Sequence, residues 1–152
     1  MMQRDDVTVR MAVLKDVIRL AELDRSIFSD YWSEKAFISS VDSKMEIVTV
    51  AVLRDTEEIA AYAAVSYVLD ECNINRIAVA PEFRGRGLGT YLLGCIEELL
   101  SPDVTIFNLE VRESNKYAIE MYEKFGYTVL GRRKNFYRCP TEDALLMTKR
   151  KV

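Results

Sequence analysis

The stretch Arg84-Gly85-Arg86-Gly87-Leu88-Gly89-Thr90 decides how this chain is read. Ahead of it, Asn73-Ile74-Asn75-Arg76-Ile77-Ala78-Val79 reads as a strand that Pro81 stops. Behind it, Leu88, Leu92, Cys95, Ile96 and Leu99 recur at helical spacing and line one face. Glycines at such a strand-to-helix junction allow positive φ and let a ligand reach the backbone. The first amides of a helix have no intrahelical partner and carry the positive end of its dipole, so a phosphate placed there gains several N–H bonds and a favourable field. Arg84 and Arg86 add charge-assisted contacts. The stretch lacks the Lys-Ser/Thr ending of a P-loop, and its alternating glycines do not give the GxGxxG spacing of a dinucleotide site. An anion-binding turn of another kind is expected.

Working outward, residues 7–11 alternate as a strand, and Val17, Ile18, Leu20, Ala21 and Leu23 suit a helix that ends near Phe28. Ser33 is placed to cap a second, short helix carrying Ala36, Phe37 and Val41. Residues 46–53 and 59–69 read as strands separated by the polar turn at residues 54–57. The second is apolar at consecutive positions, as befits a strand covered on both faces. Strand 104–111 follows the glycine-rich helix. Ser114 is then expected to cap a helix bearing Ala118, Ile119, Tyr122 and Phe125, with Gly126 closing it. Strands near residues 128–137 and 143–149 finish the chain. The order β-α-α-β-β-β-α-β-α-β-β predicts one α/β (α+β) domain over residues 1–152, with a mixed, mostly antiparallel central sheet and helices on both faces.

Composition narrows the chemistry. The 152 residues are 49% hydrophobic and 30% charged with a net charge of -3, which fits a globular domain and gives no global attraction for nucleic acid or an anionic membrane. No apolar run approaches the roughly 20 residues of a membrane helix, and the polar N-terminus does not read as a signal peptide. Cys72, Cys95 and Cys139 form neither a CxxC pair nor a disulfide framework, so a reducing cytoplasm is the expected compartment and no metal is expected. There is no histidine, which removes Ser-His-Asp and Cys-His catalysis and leaves proton transfer to Glu, Asp, Tyr, Cys, Lys or water.

Arg84-Gly85-Arg86-Gly87-Leu88-Gly89, preceded by Ile77-Ala78-Val79-Ala80-Pro81, resembles the pyrophosphate-binding motif of the GNAT N-acetyltransferases. The block Leu109-Glu110-Val111-Arg112-Glu113-Ser114-Asn115, continuing to Tyr122 and Gly126-Tyr127, is similar to that of the RimI-type protein N-terminal acetyltransferases. So is Phe28-Ser29-Asp30-Tyr31-Trp32-Ser33-Glu34. The resemblance covers essentially the whole chain and implies the GNAT fold, with acetyl-CoA as cosubstrate. It implies cofactor contacts from Ile77, Ala78, Val79, Arg84, Gly85, Arg86, Gly87, Leu88, Gly89, Thr90, Asn115 and Tyr117, and a slot opened by a bulge in the preceding strand.

By the same resemblance Glu110 is the general base and Tyr122 the general acid, with Glu71 a second candidate base. Phe28, Tyr31 and Trp32 face Asn135 and Tyr137 across the acceptor groove. The chemistry is consistent with this. An α-amine titrates at about 7.7–8.0, so a carboxylate acting directly or through water suffices to deprotonate it. A phenol near pKa 10 can give a proton to a thiolate only if positioned or perturbed. Each residue also has a plainer role open to it: Glu110 as a surface glutamate, Tyr122 as a core tyrosine, Asn115 as a helix cap, Trp32 as a staple of the helical hairpin. The implied acceptor is a protein N-terminus, met by a monomer or weak homodimer. A small amine as acceptor, or a CoA-binding subunit without catalysis, are the competing readings. Phe136 stands where the family often has tyrosine, and Tyr31 where it often has proline; both departures fall on the acceptor side.

Overall fold

The structure, a computed structural model, describes residues 6–151. Its elements follow the expected order: β1 (Val7–Met11), α1 (Val17–Ile27), α2 (Glu34–Asp42), β2 (Glu46–Leu53), β3 (Ile59–Val68), β4 (Glu71–Val79), α3 (Leu88–Leu99), β5 (Ile106–Arg112), α4 (Lys116–Lys124), β6 (Thr128–Tyr137) and β7 (Glu142–Arg150). The strands form one seven-stranded sheet, β1-β2-β3-β4-β5-β7-β6. Only the β4–β5 pair is parallel, as the intervening α3 crossover requires. Two apolar clusters cover the sheet. Leu20 and Leu23 of α1 and Phe37 of α2 pack on one face with Val50, Tyr62 and Ala78. Leu92, Leu93 and Ile96 of α3 and Ile119 and Tyr122 of α4 pack on the other with Ala61, Phe107 and Met147. β3, buried through Val65, lies between them.

The caps follow the sequence with one correction. Ser33 Oγ accepts the Ala36 N–H at 3.1 Å, and Gly126 follows α4 at φ 109°. Ser114 does not cap α4. Its backbone N–H is taken by the Glu142 carboxylate at 2.6 Å, and the helix starts one residue later, with Asn115 Oδ1 accepting the Ala118 N–H at 3.2 Å.

The feature that positions the site is the separation of β4 from β5. They pair from Glu71↔Ile106 to Ile74↔Leu109 and no further. At that point β4 carries a bulge, because Ala64 of β3 faces Arg76 while Val65 faces Ile74, leaving Asn75 as the extra residue. Beyond it, residues 76–79 remain paired with β3, and residues 110–112 with β7. The diverging strand ends leave a wedge that no backbone fills among the described residues.

Candidate active site

A cleft of about 1020 Å³ opens in this wedge. Its floor at one end is the glycine-rich turn. Gly85 and Gly87 take φ 77° and 79°, and a Cβ built on either meets nothing within 4 Å, so glycine there serves conformation and an open approach rather than internal packing. Gly87 is the N-cap of α3, and the first intrahelical bond runs from the Tyr91 N–H to its carbonyl at 3.0 Å. No acidic side chain sits in the first turn of α3, so the amides that precede Tyr91 point a positive dipole end at the cleft. Arg84 Nε donates to the Val79 carbonyl at 3.1 Å, tying the turn back to the splayed end of β4.

Asn108, Glu110 and Arg112 share one face of β5, while Phe107, Leu109 and Val111 turn into the core under α3 and α4. Glu110 is partly exposed, and its carboxylate lies 3.5 Å from Arg133 Nε of β6. Tyr122 is buried against Tyr127, ring centroids 5.8 Å apart, yet still borders the cleft. Burial pushes its phenol pKa well up. Tyr137 stands over the Arg112 guanidinium at 4.6 Å. Burial first, then the Glu110 and Asp30 charges, push it up to about 12 against the opposing pull of Arg112 and Arg76. Both phenols are therefore neutral hydrogen-bond donors at any ordinary pH.

The cleft brings together Phe28, Ile77, Ala78, Val79, Arg84, Gly85, Gly87, Leu88, Gly89, Thr90, Glu110, Asn115, Tyr117, Tyr122 and Tyr137. Four expected residues lie outside its wall, as does Glu71, exposed at the start of β4. Arg86 turns to the outer side of α3, its guanidinium 5.8 Å from the Phe83 ring. Tyr31 is exposed and covered by Arg25 at 5.1 Å. Trp32 packs on Phe37, ring centroids 5.3 Å apart, which makes it a staple of the helical hairpin. Asn135 adopts φ 52° in an irregular part of β6, where its N–H is held by the Asp143 carboxylate at 2.9 Å. Cys72 is a core residue, Cys95 is half-buried, and Cys139 is an exposed thiol at the cleft rim.

The chain matches the acetyltransferase (GNAT) family over residues 17–127. The chain belongs to the GNAT acetyltransferase family. It is an N-acetyltransferase, and its relatives are of the RimI type. It is 34% identical over 140 residues to a putative [ribosomal protein bS18]-alanine N-acetyltransferase of Bacillus subtilis, covering 91% of this chain and 92% of that one. It superposes on the crystal structure of the ribosomal-protein-S18-alanine N-acetyltransferase from Escherichia coli with a TM-score of 0.85 and 31% identity, covering 95% of this chain and 93% of that chain. The fold is shared more distantly with Arabidopsis thaliana NAA60 solved in complex with acetyl-CoA (TM-score 0.86, 20% identity, 95% of this chain and 98% of that chain). Among the described residues, no helix of this GNAT enzyme is long and apolar enough to cross a membrane.

Sequence reasoning missed two arginines that line the cleft. Arg112 donates to the Arg138 and Pro140 carbonyls at 2.8 and 3.0 Å, to Glu142 at 3.2 Å and to Ser29 Oγ at 3.2 Å, joining the β6–β7 turn to the α1–α2 loop. Arg76 reaches the fully buried Asp24. Both Arg76 and Asp24 carried a signal: a charge that breaks the polar/apolar alternation of residues 71–75, and a carboxylate on the buried stripe of α1 with Val17 and Leu20.

Proposed function

We propose that this enzyme transfers the acetyl group of acetyl-CoA to the N-terminal α-amine of a protein, an alanine-first ribosomal protein being the leading acceptor, by direct attack within a ternary complex. The observation that carries this reading is the near full-length likeness to relatives named for that acceptor. The cleft supports it: a backbone anion cradle at one end, an unfilled wedge between β4 and β5, and a carboxylate beside the wedge. Acetyl-CoA fits these residues, because the open space over Gly85 and Gly87 leaves the amides at the start of α3 accessible to a pyrophosphate. The splayed edge of residues 76–79 offers strand-like partners to the pantetheine amides. The remaining proposed contacts are Asn115 and Tyr117, with Arg86 contributing charge from the outer side of the turn.

Glu110 takes the ammonium proton, directly or through water, and the freed amine attacks the thioester carbonyl. Tyr122 donates a hydrogen bond to the departing thiolate; its raised pKa makes stabilisation of the sulfur charge, rather than full proton transfer, its main contribution. Phe28 and Tyr137 wall the acceptor groove from opposite sides. The acceptor class implies a cytoplasmic enzyme. A panel of peptides varied at the first residue, assayed with acetyl-CoA beside free polyamines, amino acids and aminoglycosides, tests the proposal. Acetylation of Ala-first peptides is expected; acetylation of the free small amines alone would replace the acceptor, and no transfer to any amine would overturn the catalytic reading.

A further inference from the structure

The β4 bulge does more than open the wedge. Cys72 and Ile74, before it, face the α3/α4 cluster. Ala78 and Ala80, after it and of the same parity, face the α1/α2 cluster. The extra residue at Asn75 has reversed which side each β4 residue presents. Arg76, which unbroken alternation would bury beneath α3 and α4, is delivered instead to the side of α1.

There it meets Asp24, whose carboxylate is fully buried. Asp24 accepts from Arg76 Nη2 at 3.0 Å and Nε at 3.3 Å, from Tyr62 Oη at 2.8 Å and from the Trp32 backbone N–H at 2.7 Å. The same guanidinium donates to the Asp30 carbonyl at 2.5 Å and lies over the Phe28 ring, 4.3 Å from its centroid, with Trp32 at 5.6 Å. The α1–α2 loop has no regular structure of its own, and Phe28, Asp30 and Trp32 are all tied to this one ion pair. Such a buried pair acts as a discrete peg: removing either partner strands a charge, so the loop has one well-defined seat.

We propose that Arg76 is a positioning residue for acceptor recognition. Through Asp24 it seats the α1–α2 loop, and so fixes the Phe28 wall that meets the acceptor's first side chain. The assignment rests on the proposed use of that wall for a peptide acceptor. Lysine at this position keeps the charge that Asp24 needs but cannot supply the planar fork that reaches Asp24 twice and the Asp30 carbonyl at once.

The test is Arg76→Lys, with Arg76→Gln as its companion. Trp32 is the sole tryptophan, so its fluorescence reports the loop without any assay of activity. For Arg76→Lys, acrylamide quenching of Trp32 is expected to rise and the KM for an Ala-first peptide to rise about ten- to hundredfold. CoA affinity should stay at the wild-type value. Arg76→Gln should move both readouts further. Wild-type quenching and wild-type peptide KM in Arg76→Lys overturn the proposal. A loss of CoA affinity equal to the loss of peptide affinity overturns it too, because it marks general damage to β4. If wild-type enzyme acetylates no peptide, the acceptor reading fails on its own, and increased quenching in Arg76→Lys still upholds the peg.

Discussion

Replacing Gly87 by alanine separates the two tasks assigned to the anion turn. The residue sits at φ 79°, ψ 10°, where a side chain costs about 1–2 kcal/mol. A Cβ there meets no atom within 4 Å, so no steric term adds to the backbone cost in the free protein. That cost predicts a fall in Tm of roughly 2–8 °C for a chain of this length. The added methyl also points into the space where the pyrophosphate is proposed to lie, so CoA affinity should drop by about tenfold or more, equivalent to ~1.4 kcal/mol. Gly87→Asn divides the effects, because asparagine tolerates the left-handed region better than alanine. Urea unfolding should find Gly87→Asn closer to wild type in stability, while calorimetric titration with CoA should find both variants weak. Recovery of CoA affinity in Gly87→Asn in step with stability would refute the cradle at this position and leave the glycine a purely conformational role.

Further outcomes are expected elsewhere. Glu110→Gln should lower kcat by about 10²–10⁴ with CoA affinity unchanged by titration; kcat equal to wild type across the pH range would remove Glu110 as base. Arg84→Ala with Arg86→Ala should weaken CoA binding without abolishing fold, and the wild-type affinity should fall with added salt more steeply than the variant's. Asp16 is held below its usual pKa, chiefly by its hydrogen bonds from Arg10, so its contribution to stability is present above the unfolded carboxylate value and lost as pH falls through the folded one. Asp16→Asn should therefore lower Tm at neutral pH and flatten the Tm profile on the acid side.

The glycine-rich half of the cleft was legible because it is contiguous. Residues 77–90 run through one strand end, one turn and one helix start, and glycine spacing, proline and helical periodicity each act locally. The opposite half was not, because pairs far apart in sequence build it: Tyr62 to Asp24, Arg76 to Asp24, Arg112 to Ser29. Trp32 illustrates the difference. Its aromatic character suited a pocket wall, but its half-buried ring packs against Phe37 of α2. Ser114 was a reasonable cap by composition, but the helix starts one residue later, where Asn115 Oδ1 takes the Ala118 N–H. Asn135 sat correctly in β6, yet it lies at φ 52° outside the cleft wall, with its N–H held by Asp143, a partner eight residues on.

The short parallel join of β4 to β5 has a mechanical consequence. Four register pairs carry one half of the sheet, with α1 and its loop, against the other half, with the β6–β7 turn. The cleft straddles that seam, one bank on each half, with Arg112 reaching Ser29 across it. On the proposed reading, an acyl donor laid in the wedge would brace the two strand ends that frame the groove, and donor-first binding is the order expected in steady-state inhibition kinetics.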